Sequence, residues 1–243
     1  YYIDIEDFTQ ALTWLEKLAE TYPQGAERDV VLERIGDLAL AKANSPQTAE
    51  SVLSELRSHW ALADRLIDFY QEHGDLRRAA DWLERVASQP EAADGREARL
   101  ERMLDLGLGD LEDVGLGHRA VELSERPAGL IERLIEYHLG VNELSEALDW
   151  LERLVGRTEP QDLREVHLYR LVDLALKRAK MPERAERAIA LSHKPAELIE
   201  RLYSYLIAHG DYEEGFAWLG RLRELSSSPA AAELFVDRMM GLS

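Results

Sequence analysis

The eight residues AADWLERV at positions 79–86 decide the fold, because close copies of them recur along the chain. The copies are ALTWLEKL at 11–18, ALDWLERL at 147–154 and GFAWLGRL at 215–222. In every copy a small residue lies three positions before the tryptophan, and a leucine follows it directly. The tryptophans are equally spaced, without an insertion, and define a 68-residue period: Trp14, Trp82, Trp150 and Trp218. A fixed period of this kind indicates a repeat protein.

A second motif divides the 68-residue period into two parts. It consists of an acidic residue, an arginine, two mostly apolar residues and another acidic residue, as in DRLID at 64–68. A shorter and a longer interval alternate between successive arginines, so the elementary repeat averages half the tryptophan period, about 34 residues. The arginines are Arg34, Arg65, Arg102, Arg133, Arg170, Arg201 and Arg238. Apolar residues at helical spacing around them, with turn signals such as HGD at 73–75, predict two amphipathic helices per repeat.

These residues resemble the tetratricopeptide repeats (TPR), whose units are helix hairpins of about 34 residues. Residues 70–90, YQEHGDLRRAADWLERVASQP, and residues 203–225 are similar to the family pattern, with Gly215 where alanine is usual. The copies at 26–57 and 94–125 depart further from it, so other helical-hairpin repeats stay open for them. The resemblance implies an all-α fold, a right-handed α-solenoid of about seven TPR-like hairpins. The glycine-rich GLGDLEDVGLG at 107–117 is interpreted as a loosened helical turn.

We expect residues 1–243 to form a single superhelical array. The predicted units are 1–22 (partial), 26–57, 59–90, 94–125, 127–158, 161–192, 195–228 and 229–243 (partial). Both ends fall inside a unit, and neither has the polar capping helix that a free solenoid needs for solubility. The chain is therefore expected to be a segment of a longer repeat protein.

Composition argues against several classes of function. The chain has 29 basic and 47 acidic residues, a net charge of −18, and such a field repels nucleic acid and anionic lipid. No apolar run is long enough to span a membrane, and cysteine is absent. The seven histidines form no metal-binding motif, and the glycines lack the spacing of a nucleotide loop. We expect no enzymatic activity, no cofactor and no metal.

The acids that flank the motif arginines form a stripe. They lie one position before and three positions after the arginine, on one helical face directed away from the apolar residues. In the TPR family this face of the first helix lines the ligand groove, so the resemblance implies an acidic groove. The predicted partner-binding residues are Glu33, Asp37, Asp64, Asp68, Glu101, Asp105, Glu132, Glu136, Tyr169, Asp173 and Glu200. Tyr169 and Ser204 replace acids of the stripe, so specificity could differ there.

Two interpretations of the stripe stay open. In the first, the seven arginines form a structural ladder, each pairing with the acid three residues on or with the neighbouring unit. In the second, the excess of acids binds a basic partner. The leading functional hypothesis is a docking scaffold for a protein with a basic surface. The alternatives are a conduit for a cationic polysaccharide, and a cytoplasmic regulator or chaperone adaptor.

A narrower resemblance rests on composition. Only five of the 29 basic residues are lysine, and the acidic, arginine-rich array is similar to the periplasmic repeat regions of bacterial exopolysaccharide exporters, such as the Pel, alginate and cellulose systems. The Pel-type resemblance implies a periplasmic array ahead of an outer-membrane barrel in biofilm secretion. It also implies recruitment of a polysaccharide-modifying hydrolase or deacetylase. The alternative location is the cytoplasm.

Overall fold

A computed structural model describes residues 7–56 and 60–225. This part of the chain contains thirteen α-helices and no strand. The helices are α1 Phe8–Thr21, α2 Ala26–Ala41, α3 Pro46–Glu55, α4 Trp60–Glu72, α5 Leu76–Ala87, α6 Arg96–Leu108, α7 Val114–Leu123, α8 Ala128–Gly140, α9 Leu144–Arg157, α10 Gln161–Leu174, α11 Pro182–Leu191, α12 Pro195–His209 and α13 Tyr212–Leu225. A 3₁₀ turn covers Pro90–Ala92, and α10 continues into a π-helical turn, Ala175–Ala179.

From α2 onward the helices follow one another as helix pairs, with packing within α2–α3, α4–α5, α6–α7, α10–α11 and α12–α13, and α1 packs against α2. The predicted fold class, an all-α repeat of TPR-like helix hairpins, is confirmed. The chain divides into two compact units, Tyr1–Leu130 (unit 1) and Ile131–Ser243 (unit 2), which are described separately. The predicted single array and its unit boundaries stay predictions, and both chain ends lie outside the described residues.

In the hairpin α4–α5 both periodic motifs contribute buried residues to the core. On α4 the two residues after the motif arginine, Leu66 and Ile67, are fully buried, and Ala79 and Leu83 of α5 are buried as well. The small side chain at position 79 allows α4 and α5 to approach closely. Burying one large aliphatic side chain contributes about 1.5–3 kcal/mol. The apolar positions of the arginine motif therefore contribute to the core in successive first helices, as with Met103 and Leu104 of α6.

Histidine and glycine end the first helix in two hairpins. After α4, His73 donates a hydrogen bond from Nδ1 to the Phe69 carbonyl oxygen at 2.8 Å and stacks on the Phe69 ring. Gly74 follows with φ of +77°, a left-handed conformation that glycine adopts without strain. After α12, His209 makes the same 2.8 Å bond to Tyr205. These histidines therefore help to cap the C-terminal ends of α4 and α12.

The glycine-rich segment at 107–117 corrects one expectation. It is not a loosened turn throughout, because α6 continues to Leu108 and α7 begins at Val114, so both Gly107 and Gly117 lie inside helices. A Cβ atom on Gly107 would lie 2.8 Å from the Asp113 carbonyl oxygen and from the Leu116 Cβ. The glycine therefore permits the close packing of α6 on α7.

Candidate partner-binding surface

The predicted stripe lies on the first helix of each hairpin, and its described members are exposed or half-buried. Glu33 and Asp37 lie on α2, Asp64 and Asp68 on α4, Glu101 and Asp105 on α6, Glu132 and Glu136 on α8, Tyr169 and Asp173 on α10, and Glu200 on α12. The arginines of the same helices are Arg34, Arg65, Arg102, Arg133, Arg170 and Arg201. Arg238 lies outside the described residues. We call the exposed sides of these helices the first-helix surface of each unit; α2, α4 and α6 belong to unit 1, α10 and α12 belong to unit 2, and α8 begins in unit 1 and continues into unit 2.

In unit 1 the ladder arginines reach the preceding hairpin. Arg65 of α4 pairs with Asp37 of α2, with 2.8 Å between the guanidinium nitrogen and the carboxylate oxygen. Arg102 of α6 pairs with Asp68 of α4 at 2.6 Å and also donates to Gln71. In both cases the acid is the one that follows the preceding arginine by three residues. The ion pairs therefore join neighbouring hairpins.

Unit 2 repeats this arrangement with more contacts. Arg170 of α10 binds two acids of α8, Glu132 at 2.5 Å and Glu136. Arg201 of α12 pairs with Asp173 of α10, which also accepts a 2.8 Å bond from Lys177. Partial burial by itself raises the pKa of Asp173, but the hydrogen bonds from Lys177 and Arg201 outweigh it, so this pKa lies below its ordinary value.

A buried arginine forms a second anchor that the motif analysis missed. Arg99 is only 6% exposed and makes a two-pronged ion pair with Asp64, at 2.7 and 2.8 Å. It also donates to the carbonyl oxygens of Ala92 and Asp94 at 3.3 and 2.8 Å. A buried guanidinium needs such partners, so the Asp64 carboxylate has a structural role as the counter-ion of Arg99.

The equivalent position in unit 2 shows the signal that could have revealed this anchor. His167 lies three residues before its motif arginine, as Arg99 does, and one full tryptophan period further along the chain. Its Nδ1 lies 3.7 Å from Glu132. A basic residue recurring at this place in the period indicates a partner in the preceding hairpin. The acids before the arginines of α4 and α8 therefore have structural roles as well as exposed surface.

Some carboxylates of the first-helix surface keep no counter-ion. Within 7–56 and 60–225, Glu101 on α6 and Glu197 and Glu200 on α12 are exposed, and no arginine or lysine lies within ion-pair distance of them. The pairing of the ladder therefore leaves negative charge available to an approaching cation.

Aromatic rings and a cleft accompany these charges in unit 2. The Arg201 guanidinium lies over the Tyr169 ring, 5.3 Å from its centre, and Lys180 lies 5.7 Å from the centre of the Tyr205 ring. A cleft of about 670 Å³ lies between α10 and α12, and Glu200 and Tyr205 are part of its lining. The place combines an aromatic ring with an unpaired carboxylate, which suits a basic or amphipathic side chain.

The constant spacing of the tryptophans has a structural explanation. In unit 1 the Trp82 indole donates to Glu50 of the preceding hairpin at 3.0 Å, and the Tyr70 hydroxyl donates to the same carboxylate at 2.7 Å. Burial, followed by the bond to Glu50, raises the pKa of Tyr70. In unit 2, Glu186 bonds Trp218. Sequence reasoning missed these acceptors, because it considered only the motif acids.

Glu186, one of these two acceptors of the tryptophans, has a shifted pKa. Glu214 of α13 stands where α5 has Arg78, so Glu186 faces another carboxyl group instead of a guanidinium. Burial, and then the hydrogen bond and repulsion from Glu214, raise the pKa of Glu186 above its ordinary value. The pair lies on second helices, away from the first-helix surface.

Residues 7–56 and 60–225 contain no group of three side chains that could hold a metal ion. None of the thirteen helices there is long and apolar enough to cross a bilayer.

Comparisons with known proteins match this chain only at the level of structure. No protein-family profile matches the sequence, and no curated protein sequence is similar to it. A tetratricopeptide repeat protein from Parabacteroides merdae is similar over 98% of this chain and 94% of its own, at 12% identity and a TM-score of 0.34. A circular tandem repeat protein is similar over 99% of this chain and 48% of its own, at 15% identity and a TM-score of 0.13. A chain of the DHF58 filament is similar over 98% of this chain and 97% of its own, at 21% identity and a TM-score of 0.13.

All three TM-scores are below 0.5. The repeat class therefore rests on the chain's own 68-residue period and on the helix hairpins of its described residues.

Proposed function

We propose that this protein is a non-enzymatic scaffold whose first-helix surface docks a protein partner with a basic surface. The observation that carries the proposal is the charge left after pairing. The ladder arginines bind acids of neighbouring hairpins, while Glu101, Glu197 and Glu200 stay exposed without a counter-ion among the described residues. A purely structural ladder does not require these additional carboxylates.

The hairpins give this surface its stiffness. The first helices α4, α6, α10 and α12 are each tied by an arginine to the first helix before them, so the carboxylates on these helices are held at fixed positions before a partner arrives. Preorganisation of this kind lowers the entropy lost on binding. Exposed charges also steer a basic partner during approach, over a screening length of about 8 Å at physiological ionic strength.

The finer proposal concerns the partner and its place. We propose a polysaccharide-modifying hydrolase or deacetylase of an exopolysaccharide export system, with this chain in the periplasm. The support is the acidic, arginine-rich and lysine-poor composition. The alternative function is a conduit for a cationic polysaccharide, which the recurrence of acids on successive first helices favours.

A charge-neutral variant tests the docking surface. Glu101→Gln, Glu197→Gln and Glu200→Gln together remove three negative charges from the first-helix surface. The matched control removes three exposed charges from second helices, through Glu122→Gln, Glu146→Gln and Glu224→Gln. Both proteins, with the wild type, are used to capture partners from extract and are compared by quantitative mass spectrometry.

We expect a protein with a basic surface to be captured by the wild type and the control, and to be depleted about tenfold or more with the first-helix variant. Equal capture by all three proteins would refute the docking surface. For the conduit, binding of a partly deacetylated N-acetylglucosamine oligomer is measured with the same proteins. An affinity that falls evenly with every acid removed along the stripe favours that alternative.

A further inference from the structure

Helix α10 departs from the acidic pattern of the first-helix surface. Leu163 is 48% exposed and Val166 is 60% exposed. With the half-buried Tyr169 they occupy positions three apart, so they follow one another along one side of the helix. We call these three residues the apolar strip. Isolated exposed apolar residues are ordinary, but a contiguous row with a polar border is typical of a binding site.

The comparison with the other first helices shows that the strip is specific to α10. At the place of Val166 the described helices α4, α6 and α8 have Ala61, Ala98 and Gly129. Helix α2 has Val30 there, which is 65% exposed, but its neighbours in the row are Glu27 and Glu33. Val30 therefore offers a matched control that lies outside an apolar row.

Carboxylates border the strip on the side of α12. Glu197 and Glu200 occupy the repeat positions of Val166 and Tyr169 on the next first helix, and both are exposed without a counter-ion among the described residues. Arg201 holds the two helices together, because it pairs with Asp173 and covers the Tyr169 ring. From this contact and the shared repeat positions, we infer that the two carboxylates stand beside the apolar row.

The cleft of about 670 Å³ between α10 and α12 lies at this junction. Glu197, Glu200 and Tyr205 are among its lining residues, together with the ion-paired Asp173, Lys177 and Arg201. In that ion-paired group the Asp173 carboxylate is the shared counter-ion of Lys177 and Arg201. A basic side chain entering the cleft meets the carboxylates of Glu197 and Glu200.

We propose that the α10–α12 surface docks a short partner segment in which an apolar residue is followed closely by lysine or arginine. The apolar side chain packs on Leu163, Val166 and Tyr169, and the basic group enters the cleft beside Glu197 and Glu200. This inference rests on the proposed scaffold function and specifies where and how the partner binds. Charge complementarity selects the occupant, since a second copy of this chain would bring like carboxylates together at the same place.

The test is a selection followed by affinity measurements. A phage-displayed library of random dodecapeptides is selected on the immobilised full chain, with the variant Val166→Ser/Glu200→Gln present in excess as a soluble competitor. The competitor removes peptides that bind elsewhere. We expect the surviving sequences to share an apolar residue with lysine or arginine within the next few positions. Survivors without this pattern, or no survivors, would overturn the proposal.

Affinities of one selected peptide then assign the contacts. We expect Val166→Ser, and separately Glu197→Gln/Glu200→Gln, each to weaken peptide binding about fivefold or more, as the loss of one good contact does. Val30→Ser and the second-helix variant Glu146→Gln should leave it unchanged. Equal weakening by Val30→Ser and Val166→Ser would show that the α10 strip is not the site.

Two further outcomes separate this inference from the scaffold function. If the captured natural partner depends on Glu101 but not on Val166, the scaffold function stands and the α10–α12 docking site fails. If the partner is insensitive to every first-helix charge, both fail. Sedimentation of the wild type is measured alongside, and a dimer that Val166→Ser dissociates would make the strip a self-association surface and overturn the proposal.

Discussion

At the scale of single residues, the contacts made by a neighbouring hairpin decide the role of a charge more than its position in the repeat does. Asp64 and Glu200 occupy the same place in the motif, one residue before the arginine, and both belong to the predicted acidic stripe. Asp64 is held by the buried Arg99, whereas Glu200 has no counter-ion among residues 7–56 and 60–225. The difference comes from one residue in the following hairpin, because an arginine at position 99 reaches back and Asp64 receives it.

Arg99→Ala is expected to lower the free energy of unfolding by about 2 kcal/mol or more, since it leaves Asp64 and two carbonyl groups without their donor. Arg65→Ala is the control, because its pair with Asp37 is about half exposed on both sides and should contribute about 1 kcal/mol or less. Urea unfolding followed by circular dichroism measures both. Equal losses would contradict the anchoring role of Arg99.

The carboxyl pair Glu186 and Glu214 predicts a pH dependence. Because the pKa of Glu186 is raised in the folded protein, its contribution to stability is fully present below the ordinary glutamate pKa and is lost as pH rises through the folded pKa. Glu214→Gln removes the repulsion, so we expect it to raise the melting temperature at pH 7.5 and to change it less at pH 4. Glu213→Gln, on the neighbouring exposed residue, is the control. If Glu214→Gln changed the melting temperature equally at pH 7.5 and pH 4, the repulsion between Glu186 and Glu214 would be refuted.

At the scale of elements, the sequence predicted the helix hairpins because burial follows the motif. The two positions after each motif arginine of the described helices are buried, and most are apolar, as Leu66 and Ile67 illustrate; the turn signal HGD ends α4 where expected. The direction of the ladder could not be deduced in the same way. An arginine side chain reaches both the acid three residues on in its own helix and the acid of the helix before, and only the spacing of the packed hairpins selects the second.

Double-mutant cycles test whether the ladder arginines pair with the preceding hairpin or within their own helix. Arg102 and Asp68 lie on neighbouring hairpins at 2.6 Å, so their coupling free energy is expected to be about 0.5–1 kcal/mol. Arg65 and Asp68 are three residues apart on α4, and their coupling should be close to zero. The cycles use alanine substitutions and urea unfolding. A larger coupling for Arg65 and Asp68 than for Arg102 and Asp68 would show that the ladder arginines pair within their own helices and not between hairpins.

At the scale of the whole molecule, the 68-residue period organises both the fold and the charge. It predicted the repeat class and the side of each hairpin on which the acids lie. It did not show which acids stay available, since that depends on contacts between hairpins such as those of Arg99 and Arg170. Neutralising Asp64 or Glu132 would therefore disturb packing as well as binding, and the informative charges are those of Glu101, Glu197 and Glu200.

The central claim is that these unpaired carboxylates attract a basic protein. Its most direct measurement is the association rate of the captured partner at low and high salt, for the wild type, the Glu101→Gln/Glu197→Gln/Glu200→Gln variant and the second-helix control. We expect the wild type and the control to associate rapidly at low salt and to slow as salt rises. The first-helix variant should associate slowly at low salt and respond less to salt. An association rate that is independent of salt, or equal in the variant and the control, would contradict the account.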